Sequence, residues 1–237
     1  MKRAFTTRKP HIHAFVAALT ISSVLTATPP ARAQLAEGDF AEELVRAQYV
    51  EGLPYTEARD LTLAGIERLV EMLRDPAEAE HHENIVMALG ISGAQQAYPA
   101  LVAYQDKEVE GEVDASEYRA RRAVPLAMGH LAGTDPRALQ FLLEAARRQE
   151  PESAPRWRYL YLREQRLAGI LRRAAITGVA MSGQPEAVAA LRALGERARD
   201  DPSESDELRV HVLEAERLCH RVMREGPDQV FGSEILR

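Results

Sequence analysis

The chain contains a single cysteine, Cys219, among its 237 residues. An internal disulfide is therefore impossible, and a small fold stapled by disulfides is excluded. Aromatic residues are scarce, with one Trp, seven Tyr and five Phe. No segment sustains the period-two alternation of a half-buried strand, so no sheet is expected. No apolar run reaches the ~20 residues that cross a bilayer as a helix, so no transmembrane anchor is expected. Beyond residue 33 the only Lys is Lys107 and the only Asn is Asn84. Nearly every positive group is thus a guanidinium, a planar fork suited to carboxylates.

Motifs that carry chemistry are missing as well. No Ser stands in a Gly-x-Ser-x-Gly elbow, and no Gly-rich phosphate loop is present. The one histidine pair, His81-His82, lies in AEAEHHENIVMAL. Adjacent residues on a helix diverge by about 100°, so the two cannot readily share an ion. Glu78 and His82 have suitable i, i+4 spacing, but zinc wants three or four ligands. The segment reads as the polar start of a helix that continues through Ile85, Val86 and Leu89. Neither catalytic residues nor a cofactor or metal is expected.

The N-terminal part is distinctive. A basic stretch, MKRAFTTRKP, precedes a short apolar run, Ala14 to Ala27, and then Ala31-Arg32-Ala33. Those are the three parts of a cleavable secretory signal, which predicts a signal peptide over 1–33 and a secreted or periplasmic product. Arg3 and Arg8 are not adjacent and no Cys lies near the site, which argues against a twin-arginine signal or a lipid anchor. Removing 1–33 takes away five bases and no acids, leaving 25 against 36, a formal charge of −11. Net acidity disfavours nucleic acid as a partner. The charge is uneven, however: Arg119 to Arg173 holds twelve Arg against five acids, whereas Gln34 to Tyr118 holds five bases against nineteen acids.

Three segments resemble one another: ALGISGAQQAYPALVAY (88–104), AMGHLAGTDPRALQFLL (127–143) and ITGVAMSGQPEAVAALRAL (176–194). Each has a Gly late in an apolar helix (Gly90, Gly129, Gly178), then a second Gly (Gly93, Gly133, Gly183) suited to ending it in the left-handed conformation. Pro136 and Pro185 open the following helix, where a missing N–H costs nothing. Asp135 is a good N-cap, and Ser92 and Ser182 suit local hydrogen bonding in the turns. Ala97, Ala138 and Ala187 are 41 and 49 residues apart; the first interval matches a helical-hairpin repeat. The longer one has its excess around Gln149 to Arg163. A weaker unit, Phe40 to Tyr49 with Glu57 to Leu73, precedes the three, and a helix over Glu204 to Arg224 caps them.

The pattern ALG-x-x-G followed by P-A-L, with MGHLAGTDPRAL, resembles the HEAT-like (armadillo-type) helical repeats, including the short kind in bilin lyases and bacterial scaffolds. The resemblance covers Glu78 to Arg199. It implies an all-α fold, an α-solenoid of stacked antiparallel hairpins over 34–237, with a degenerate N-terminal repeat and a C-terminal capping helix. Such solenoids mostly supply surfaces.

Two surfaces follow from the helical period. After Pro136, Leu139, Leu142, Leu143 and Ala146 share one side, while Arg137, Phe141, Glu144 and Arg148 lie opposite. Phe141 among charges either covers a neighbouring repeat or serves as an aromatic anchor rimmed by Arg. In RWRYLYLREQRLAGILRRA, read as one helix, Trp157, Leu160, Leu167 and Leu171 make the buried stripe, and Arg158, Gln165, Arg166, Arg172 and Arg173 point outward. Those arginines either pair with the acidic loop Asp106 to Asp114 or receive a partner with an acidic surface. The residues together predict a non-catalytic protein-interaction scaffold of the cell envelope. The alternatives are a lyase-type enzyme on the same fold and a structural subunit of an envelope assembly. Cys219, in the pattern Val212, Leu213, Leu218, Val222, reads as a small buried hydrophobe, with an intermolecular disulfide as the other reading.

Overall fold

The computed structural model describes residues 31–50, 52–148, 155–160, 162–201 and 205–232, with backbone alone over 31–37. The signal-peptide expectation rests on residues that lie mostly outside this range. The described chain is mostly helical. Its helices are α1 (Ala31–Arg46), α2 (Tyr55–Arg59), α3 (Leu63–Arg74), α4 (His82–Ser92), α5 (Ala97–Asp106), α6 (Ala115–Leu131), α7 (Pro136–Arg147), α8 (Glu164–Met181), α9 (Pro185–Asp200), α10 (Asp206–Glu225) and α11 (Pro227–Phe231). A 3-10 turn, Pro76–His81, leads into α4. None of these helices is long and apolar enough to cross a membrane.

Local chemistry explains the boundaries. Asp135 accepts the backbone N–H of Arg137 at 3.0 Å and caps α7, with Pro136 in its first turn. Ser92 Oγ and Ser182 Oγ play matching parts. Each donates to a carbonyl three residues back, at 2.7 Å, and accepts an N–H two residues on, at 3.3 Å. Thr62 caps α3 through Gly65 N–H at 3.3 Å, which splits the stretch Glu57 to Leu73 into α2 and α3. Pro99 stands at the third position of α5, where its missing N–H has no intrahelical partner to lose.

The packing follows chain order. Helix α4 lies on α6, α6 on α8 and α8 on α10, while α5, α7 and α9 each pack beside the helix that precedes them. One apolar core runs from Ala41 of α1 to Cys219 of α10. The first helices approach very closely because small residues meet. A Cβ on Gly90 would collide with the backbone of Ala127, one on Gly129 would stand 2.7 Å from Gly178 O, and one on Gly178 would strike Pro125 O. The three helix-interior glycines are therefore contact points between neighbouring helices. The second glycines divide. Gly93 and Gly183 have φ of 67° and 58° and end α4 and α8, whereas Gly133 keeps a negative φ inside a longer turn.

Two features depart from the expectation drawn from periodicity. Gly111–Val113 (β1) and Trp157–Tyr159 (β2) pair in parallel, Gly111 opposite Trp157 and Val113 opposite Tyr159. Trp157 is thus on a strand, Leu160 is exposed, and the helix begins only at Glu164. Beside this pair is a second apolar cluster of Val113, Trp157 and Leu167, flanked by Tyr118 stacked on Tyr159 with centroids 4.2 Å apart. At the far end α11 folds back. Phe231 lies 6.1 Å from the Tyr55 ring and 4.9 Å from that of His130, and Asp228 pairs with Arg59.

Candidate functional site

A cleft of about 400 Å³ opens between the end of α5, α6, α7, the approach to β2, and α8. Its apolar lining comes from Pro125, Phe141, Ala145, Trp157, Ala168 and Leu171. Its charged lining includes Arg121, Arg148, Arg156, Arg172 and Lys107, against Asp106, Glu108, Glu110 and Glu144. Volume and mixed lining fall in the ordinary range for binding clefts.

Arg121 builds one wall. Its side chain is almost wholly buried, a position that costs several kcal/mol unless the charge is met. It is met on three sides: Nε donates to Glu117 Oε1 at 2.7 Å, and the two Nη groups donate to Gln105 O and Lys107 O at 3.0 Å. The C-terminal end of α5, Gln105 and the capping Lys107, is thereby tied to α6. The guanidinium also lies 5.7 Å from the Trp157 ring centroid and 5.8 Å from that of Tyr104. Tyr104 Oη donates to Glu117 Oε2 at 2.7 Å and lies 3.3 Å from His82 Nδ1, while His82 Nε2 lies 3.2 Å from Asp75 O. Burial, then the adjacent Glu117, push the Tyr104 hydroxyl well above its usual range, so it stays a donor.

The opposite wall comes from α7 and α8. Phe141 is half-buried on α7, Glu144 and Arg148 are exposed beside it, and neither of these two has a partner among the described residues. Arg172 is buried, only 8% exposed, and its Nε donates to Ala146 O at 3.2 Å. That corrects the outward placement expected for it. With the helix starting at Glu164, Arg172 shares a face with Ala168, Ala175 and Ile176. Neither a family model nor a curated protein matches this chain.

The cleft gathers Phe141, Glu144, Arg148 and Arg172 of the eight residues singled out by sequence. The other four lie elsewhere. Arg137 holds Asp135 at 2.6 Å and covers the Tyr98 ring at 4.4 Å, and its donation keeps the Asp135 carboxyl below the usual range. Arg158 is exposed on β2, Arg166 is exposed at the start of α8, and Arg173 faces Glu207 at 3.7 Å. The acidic loop and the Arg-rich stretch do meet, through β1–β2 pairing and an exposed contact of Arg156 with Glu108 at 3.6 Å. Arg121 and Arg156 were not singled out. Arg121 lies four residues after Glu117 and is flanked by Ala120 and Ala123, a spacing that marks a paired residue on an apolar face.

The earlier candidates for metal and thiol chemistry are engaged otherwise. Glu78 pairs with Arg46, whose donated hydrogen bond holds the Glu78 carboxyl below its usual range, and His82 points into the network above. No group of three or more His, Cys, Asp or Glu among the described residues is arranged to hold a metal ion. Cys219 is fully buried, and burial pushes its thiol up to about 11, which leaves a packing role and no reach to another chain.

Proposed function

We propose that this protein is a non-catalytic scaffold of the cell envelope, a HEAT-like α-solenoid whose cleft beside Phe141 receives a segment of a partner protein. The solenoid reading is supported by the chain-order packing of α4, α6, α8 and α10, with glycines at two of those three contacts. The envelope reading is supported by the basic, apolar and small-x-small order of residues 1–33. The single observation that carries the binding reading is the cleft itself, lined together by a half-buried Phe141, the chain's one Trp, and the exposed Glu144 and Arg148, which have no partner among the described residues. Aromatic and Arg side chains at a desolvated centre are what binding hot spots use. Quantitative affinity capture from envelopes of the producing cell, with the wild type beside a Phe141→Ala, Arg148→Glu variant, tests it. At least a fivefold loss of specific captured proteins is expected. An unchanged set would contradict the assignment.

A further inference from the structure

The charges around this cleft also point to the class of segment it takes, an inference that rests on the binding role proposed above. Four arginines reach the cleft from four separate stretches: Arg121 from α6, Arg148 from the end of α7, Arg156 from the approach to β2, and Arg172 from α8. Their parts differ. Arg121 and Arg172 are buried and tie the walls together through backbone carbonyls of Gln105, Lys107 and Ala146. Arg148 and Arg156 stand at the rim. Arg148 has no partner among the described residues, and Arg156 is four-fifths exposed with a 3.6 Å contact to an equally exposed Glu108. An exposed pair of that kind contributes little, so another carboxylate displaces it at small cost.

We propose that the cleft binds an extended acidic peptide segment, with an Asp or Glu side chain received by Arg148 and Arg156 and the adjoining apolar side chain set against Phe141 and Leu171. The charge balance argues for a single carboxylate. Arg121 is already met by Glu117, so Lys107, Arg148, Arg156 and Arg172 stand against the four lining acids and leave no surplus for a dianion such as phosphate. Glu108, Glu110 and Glu144 would repel the second charge. Guanidinium forks match a carboxylate with two parallel hydrogen bonds, which fixes the orientation of the segment. Glu144, one turn before Arg148, sets the register by repelling an acid placed at the apolar end.

Trp157 is the only tryptophan and lies in the cleft wall, so its emission reads occupancy directly. The purified chain is titrated with pools of capped hexapeptides that pair Leu or Phe with Asp, Glu, Asn, Gln or phosphoserine, and with hexanoate as a free acid. The Asp and Glu pools should bind at least tenfold tighter than the Asn and Gln pools. Arg148→Glu with Arg156→Glu should remove that preference while the melting temperature stays constant. Equal binding of acidic and amide pools overturns the charge assignment and leaves the cleft as an apolar binding site. Preference for phosphoserine, or hexanoate binding as tightly as the peptides, overturns the carboxylate peptide as ligand. No change in Trp157 emission with any pool overturns the segment and counts against the cleft as the docking site.

Discussion

At the scale of single residues, burial decides which charged and titratable groups are structural and which remain open to a partner. Arg121 and Glu117 are consumed by each other and by the end of α5, whereas Arg148 and Glu144 are exposed to solvent. His130 carries the clearest consequence for pH. Its ring is held between Tyr55 and Phe231, and burial pushes its pKa down to about 4 from the usual value near 6.5. The unfolded chain therefore takes up this proton below about pH 6.5, and the folded chain only below about pH 4. Stability should fall as pH drops through that interval, by up to about 3 kcal/mol, and stay level above it. Carboxylates with depressed pKa values, Glu78 and Asp135, add their losses at lower pH. Urea titrations at pH 7.5, 6 and 5 measure the slope, and His130→Phe should flatten it. An equal slope in that variant would assign the effect elsewhere.

At the scale of elements, helices were legible wherever the stop and start signals were local. Asp135-Pro136, Ser182 to Pro185 and the second glycines Gly93 and Gly183 place helix ends as their chemistry requires. The β1–β2 pair was not legible, since two three-residue strands 46 residues apart have no periodicity of their own. Its omission displaced the phase of α8. A stripe anchored on Trp157 and Leu160 turned Arg172 outward, although Ala168 and Ile176, each four residues away, mark its true face. The glycines at helix contacts give the element-scale prediction. Gly178→Ala sets a methyl group against Pro125 O and Leu142 where no space exists. It should destabilise by about 1–3 kcal/mol, whereas alanine at Gly195, 3.4 Å from a single Val212 methyl, should be neutral or mildly stabilising. Denaturant midpoints for the two variants make the comparison, and equal effects would contradict the close α6–α8 approach.

At the scale of the whole molecule, the candidate cleft lies where a short strand pair stands among the helices. Gly111–Val113 after α5 and Trp157–Tyr159 before α8 pair as strands, and Arg156 and Trp157 line the same cleft as Phe141. The longer interval in the sequence pattern pointed to extra chain around Gln149 to Arg163, but nothing local marks Trp157–Tyr159 there as the partner of Gly111–Val113. The return of α11 to Tyr55, 173 residues from Asp228, was equally beyond local sequence signals. The central claim is that a partner docks in the Arg-rimmed cleft. A photo-crosslinking amino acid at position 141 of the full chain, expressed in the producing cell, tests this most directly against a control at exposed position 214 on α10. Discrete protein adducts at 141 that are absent at 214, and that are competed by an acidic hexapeptide, are the predicted result. The same adducts at both positions, or none at 141, would contradict it.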